Sequence, residues 1–87
     1  MATESPVSVQ FYTKENCPLC EDGLEILKRL GKEIEMSVEE IDIYKDDELL
    51  ELYQLKIPVV VVNGEELDFG RLSEAKLRRG LIGSRLR

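Results

Sequence analysis

Two thiols lie three positions apart in "FYTKENCPLCEDG", Phe11 to Gly23, and they are the only cysteines of the 87-residue chain. Cysteine acts as nucleophile or metal ligand in its thiolate form. The spacing leaves three uses open: a pair for disulfide exchange, half of a metal site, or two apolar residues inside a helix. The chain has no histidine, which removes the usual general base and the usual nitrogen ligand. A zinc or iron–sulfur site takes about four ligands, so two thiols would need a second chain or external thiols to complete it. Buried structural thiols would not need a proline-spaced pair where a strand turns into a helix. Exchange is the use that fits the local sequence.

That chemistry depends on where each sulfur sits. Asn16 reads as the cap of a helix whose first turn holds Cys17, Pro18 and Leu19. The unpaired amides and positive end of such a helix lower a thiol from its ordinary pKa near ~8.5. Lys14 adds a positive charge upstream. Cys20 falls one turn further in, on the same face, where it can attack a mixed disulfide formed on Cys17. Against this stand Glu15, Glu21 and Asp22, whose carboxylates oppose ionisation of a neighbouring thiol. The expectation is a Cys17 pKa lowered only modestly and a pair more reducing than oxidising.

The elements that must position this pair follow from periodicity. "VSVQFY" alternates as a strand, and Leu24, Leu27, Gly31, Leu19, Gly23, Ile26 and Leu30 form the apolar face of the helix after it. "MSVEEIDI" reads as a second strand, although its apolar alternation slips between Val38 and Ile41, which predicts a bulge or an exposed edge. "KDDELLELYQL" reads as a short helix with Leu49, Leu52 and Tyr53 facing inward. "IPVVVV" is a strand buried on both faces, Asn63-Gly64 a hairpin turn, and "EELDF" its antiparallel return. Ser73 caps a last helix, with Leu72 and Leu77 as a hydrophobic staple. The order is β-α-β-α-β-β-α in one α/β domain spanning 1–87, with 1–6 and 83–87 expected to be flexible. Helices should cover both faces of a four-stranded mixed sheet.

Composition narrows the partners. Residues 1–68 carry 6 Lys/Arg against 17 Asp/Glu, whereas residues 69–87 carry 6 against 1. An acidic body argues against nucleic acid, since phosphate binding needs a broad basic surface. The basic end reads first as a solvated helix face and frayed tail. No apolar run approaches a membrane span, and the opening residues lack the pattern of a signal peptide, so a cytoplasmic monomer is expected.

Two stretches carry a resemblance that covers about Val7 to Leu81. In "FYTKENCPLC", Tyr12, Lys14, Cys17, Pro18 and Cys20 fall on the tyrosine, lysine and C-P-x-C positions of glutaredoxins. "KIPVVVVNG" is similar to that family's proline loop, strand and Asn-Gly turn. More narrowly, "CPLCED" and "KIPVVVVNGEEL" resemble a compact glutaredoxin-like group within the thioredoxin-like superfamily. The resemblance implies a thioredoxin-like three-layer sandwich and a disulfide reductase in which Cys17 attacks and Cys20 resolves. It implies a cis bond before Pro58, with the main chain of Ile57 bonding an extended substrate strand. Tyr12, Lys14, Pro18, Leu19 and Gly70 would complete the substrate site. No cofactor or metal is implied beyond glutathione as a possible co-substrate, and the residues argue against that role. Leu19 stands where the family has an aromatic ring, Gly70 lacks a second glycine, and Glu21 and Asp22 would repel glutathione's carboxylates. A protein or small-molecule disulfide is the expected substrate, with a separate electron donor. A binding module or redox sensor on the same fold is the alternative, supported by the acidic rim and the altered glutathione positions.

Overall fold

The computed structural model describes residues 6–85. Strand β1 (Val7–Thr13) is followed by α1 (Pro18–Leu30), β2 (Met36–Asp42), a 3-10 turn (Ile43–Lys45), α2 (Asp47–Tyr53), β3 (Val59–Val62), β4 (Glu65–Phe69) and α3 (Glu74–Arg85). The sheet order is β2-β1-β3-β4, with β1 parallel to β2 and antiparallel to β3, and β3 antiparallel to β4. This is the mixed four-stranded sheet expected from the element order.

Alternation along β1 sorts its side chains. Val7, Val9 and Phe11 pack with Val60 and Val62 of β3 against Leu27 and Leu30 of α1 and Leu77 and Leu81 of α3. Tyr12 points to the other face, where its ring meets Tyr53 at the end of α2 with centroids 4.6 Å apart. Helix α2 is a light cover, with no buried residue of its own. Leu52, expected to face inward, is 64% exposed, and Leu55 just beyond the helix is 95% exposed. Leu49 and Tyr53, four residues apart, are half-buried, so α2 rests along that line and Leu52 beside it is left outside.

The second strand meets the second of its two expected forms, an edge and not a bulge. It lies at the sheet edge, and its register with β1 runs unbroken from Val7↔Met36 to Thr13↔Asp42. The irregularity falls instead in the β3–β4 ladder, between Val60 and Val61. The apolar alternation of β2 breaks because Glu40 pairs with Phe11 and so takes the core-side face that Met36 and Val38 occupy earlier.

Helix α3 starts as predicted. The Ser73 Oγ accepts the Lys76 N–H at 3.2 Å, and Leu72 and Leu77 are buried on either side of that cap. Two cations of the basic end, Lys76 and Arg78, are paired, while Arg71 and Arg79 are exposed as expected. Arg78 grips Glu33 at 2.8 Å and reaches Glu74 at 3.6 Å, Arg29 meets Glu74 at 3.1 Å, and Lys76 lies 3.6 Å from Asp68. These contacts tie α3 to the end of α1 and to β4 along one side of a face that is otherwise solvated. The segment 83–85, expected to fray, is helical; residues 1–5, 86 and 87 lie outside the described residues.

Candidate active site

The carboxyl end of β1 leads through four residues into α1. Asn16, expected to cap the helix, instead takes a left-handed conformation with φ 56°, which asparagine tolerates better than most residues. The turn at Asn16 passes the capping position to Cys17, whose backbone is extended at φ −121° and ψ 103°. Pro18 fills the first helical position, where a missing N–H costs nothing. The cap acceptor is a sulfur: Cys17 Sγ receives the Cys20 N–H at 3.2 Å. Cys17 and Cys20 are joined in a disulfide, with Cα atoms 5.2 Å apart. Cys17 is 7% exposed and Cys20 3%. The same amide that receives no partner in an uncapped helix thus points at the sulfur of Cys17, where it would stabilise negative charge.

The segment expected to meet a substrate strand, 56–58, is held by backbone hydrogen bonds. The Ile57–Pro58 bond is cis, as the resemblance implied. Gly70 donates its N–H to the carbonyls of both Lys56, at 2.9 Å, and Pro58, at 2.8 Å. Its φ of 68° requires glycine, and the structure puts it beneath the 56–58 segment as support. Ile57 was expected to bond a substrate strand through its main chain. Its N–H is already donated to the Tyr53 carbonyl at 3.1 Å, so this residue offers its carbonyl rather than a donor–acceptor pair.

The turn that carries Gly70 has its own anchor, which the sequence reading missed. Asp68 is the buried charged residue among those described, at 8% exposure. Its Oδ1 accepts the Phe69 N–H at 2.9 Å and its Oδ2 the Ser73 N–H at 2.8 Å. The polar–apolar alternation of "EELDF" was the available sign, since Asp68 pairs with the buried Val60. The amides of Gly70, Ser73 and Lys76 are all taken by the protein itself.

Around the disulfide, Pro18 and Leu19 are exposed, Leu19 at 37%, and Lys14 and Tyr12 are half-buried. The Tyr12 hydroxyl is held above its usual pKa, first by burial and then by Tyr53 and Glu39. A groove of about 250 Å³ opens beside Cys20, between α1 and the end of β2, lined by Lys14, Glu15, Cys20, Glu21, Glu40 and Asp42 among others. Four carboxylates against one ammonium make this side of the site acidic. Asp22, expected to join that rim, is exposed but does not line the groove. No group of three or more cysteine, aspartate and glutamate side chains among the described residues is arranged to hold a metal ion.

Comparison with known proteins places this geometry. Residues 8–82 match the model of the glutaredoxin-like domain family (DUF836). The chain belongs to that family. Among solved structures, protein Ne2328 of Nitrosomonas europaea is similar with a TM-score of 0.81 and 26% identity, over 93% of this chain and 98% of that one. Target protein XcR50 of X. campestris gives 0.75 and 26%, over 86% and 96%. A thioredoxin from Halobacterium salinarum gives 0.68 at 19% identity, over 92% of this chain and 75% of that one, which is a likeness of fold. This glutaredoxin-like chain therefore has the thioredoxin-like architecture, with its cysteine pair closed at the mouth of the first helix.

Proposed function

We propose that the protein is a thiol–disulfide oxidoreductase in which Cys17 attacks and Cys20 resolves. The observation that carries this reading is the disulfide at the start of α1, with Cys17 as the helix cap and the Cys20 amide donating to its sulfur. In the reduced form, the Cys17 thiolate attacks one sulfur of a substrate disulfide and releases the other half as a thiol. Cys20 then attacks Cys17 Sγ, closes the internal disulfide and expels the second half. A donor thiol of a separate partner attacks Cys17 Sγ and releases Cys20, and a second donor thiol then frees Cys17 and leaves as the donor's disulfide, which resets the pair.

The substrate class follows from the surroundings. Exposed Leu19 and Pro18 beside the pair suit an apolar stretch, and the acidic groove suits a neutral or basic one. Glutathione fits poorly. The N–H groups of Gly70, Ser73 and Lys76 are consumed internally, so they are not free to donate to its carboxylates, and the groove repels them. A protein or small neutral disulfide is the reading favoured.

Two reductase assays test this: one on a protein disulfide such as insulin, one on a glutathione mixed disulfide. Turnover of the first, with little of the second and no micromolar binding of oxidised glutathione by calorimetry, is the expected result. Failure of both assays, with a pair that still oxidises and reduces reversibly, would replace catalysis with sensing.

A further inference from the structure

Strand β2 keeps its register, so "SVEEID" carries Glu40 and Asp42 on the face that Met36 and Val38 give to the core. Both side chains lie at the sheet edge, Glu40 exposed and Asp42 half-buried. What lies opposite them is the groove that Cys20 lines. Asp42 is committed, since its Oδ1 accepts the Tyr44 N–H at 2.9 Å and caps the 3-10 turn. Glu40 has no such bond among the described residues, and it stands in register with Phe11, on which α1 rests near Gly23.

Cys20 is 3% exposed, and the groove is the opening on its side of the helix. A resolving thiol must lose a proton before it can attack. We infer that Glu40 takes that proton, through water in the groove, and returns it when the disulfide is reduced. The inference rests on the exchange reading above. In the forward direction the Cys20 S–H proton passes to the Glu40 carboxylate, and the Cys20 thiolate attacks Cys17 Sγ. A Cys17–Cys20 bond forms while the Cys17–substrate bond breaks, and the departing thiolate takes a proton from solvent or from Glu40. The two electrons of the broken bond leave with the substrate sulfur. In the reverse direction Cys20 departs as thiolate and recovers its proton from Glu40.

The charged groups that line the groove with Glu40 are Lys14 and Glu15 from the loop after β1, Glu21 from α1, and Asp42 from its own strand. They bear on how steeply the relay depends on pH. They do not replace it, because a carboxylate that acts only by its field has the opposite effect. Negative charge beside Cys20 opposes its ionisation, so removing that charge alone would speed resolution.

Reaction of the reduced protein with an uncharged aromatic disulfide separates the steps, since attack by Cys17 releases one coloured thiol and resolution by Cys20 releases a second. Glu40→Gln should leave the first phase unchanged and slow the second roughly tenfold near pH 6 to 7, the low end of what a positioned base contributes. The gap should close above about pH 9, where a cysteine ionises unaided. Glu40→Asp should recover part of the rate. Glu39→Gln, the same charge change on the opposite face of the strand, should alter neither phase. A second phase that is unchanged or faster in Glu40→Gln overturns the relay. If the parent shows no first phase, or no second release, the exchange reading itself fails and the relay falls with it.

Discussion

Asp68→Ala tests whether the turn under the proline segment is anchored as described. The carboxylate accepts two backbone N–H groups, from Phe69 at 2.9 Å and Ser73 at 2.8 Å, and is 8% exposed. Hydrogen bonds to a charged group are worth about 1.5–3 kcal/mol each when buried, and water recovers part of that at a partly open turn. The Lys76 contact, at 3.6 Å with the lysine side chain 58% exposed, adds little. The net loss should be about 2–3 kcal/mol, which in a domain of this size lowers Tm by roughly 10 °C or more. Guanidinium unfolding should show the midpoint falling at an unchanged slope. The same turn holds Gly70, whose N–H binds the carbonyls of Lys56 and Pro58, so disulfide exchange should slow as well. A stability loss below about 0.5 kcal/mol, within the range of an ordinary surface change, would refute the reasoning.

Other expectations concern charge. Arg78 holds the Glu33 carboxyl below its usual pKa by hydrogen bonding. A depressed folded value means that this contribution is present above the ordinary carboxylate range and is lost as pH falls through the folded value. Arg78→Ala should therefore be less stable than the parent near neutral pH, and the two should converge in acid; a gap that persists in acid would count against the ion pair. The double change Glu21→Gln with Asp22→Asn should raise the reduction potential of the pair, measured against a glutathione buffer. The shift should shrink with salt, since the Debye length is about 10 Å at 0.1 M. Because Glu21 lines the groove and Asp22 does not, Glu21→Gln alone should give most of it.

Much of this architecture is legible in the residues. The Asn63-Gly64 turn, with φ of 54° and 76°, the Ser73 cap and the Val59–Val62 strand all follow from local rules, and local and tertiary preferences agree there. What was not legible depends on contacts between distant segments. Asn16 reads as a cap by residue type, yet the turn geometry gives that role to Cys17. The pairing of Arg78 is not legible because its partner Glu33 is 45 residues away. The Ile57 amide could not be assigned from sequence, since its acceptor depends on where α2 ends. Glu40 left a mark, a lost alternation, but only the register with Phe11 shows that the carboxylate, and not the chain, is what departs from the pattern.

The central claim is the division of labour between Cys17 and Cys20, and trapping tests it most directly. Cys20→Ser, reduced and then mixed with a protein disulfide, should accumulate a covalent mixed disulfide through Cys17, visible as a mass shift that added reductant removes. Cys17→Ser under the same conditions should form none. A stable adduct through Cys20 in Cys17→Ser, with none in Cys20→Ser, would reverse the assignment and contradict the mechanism.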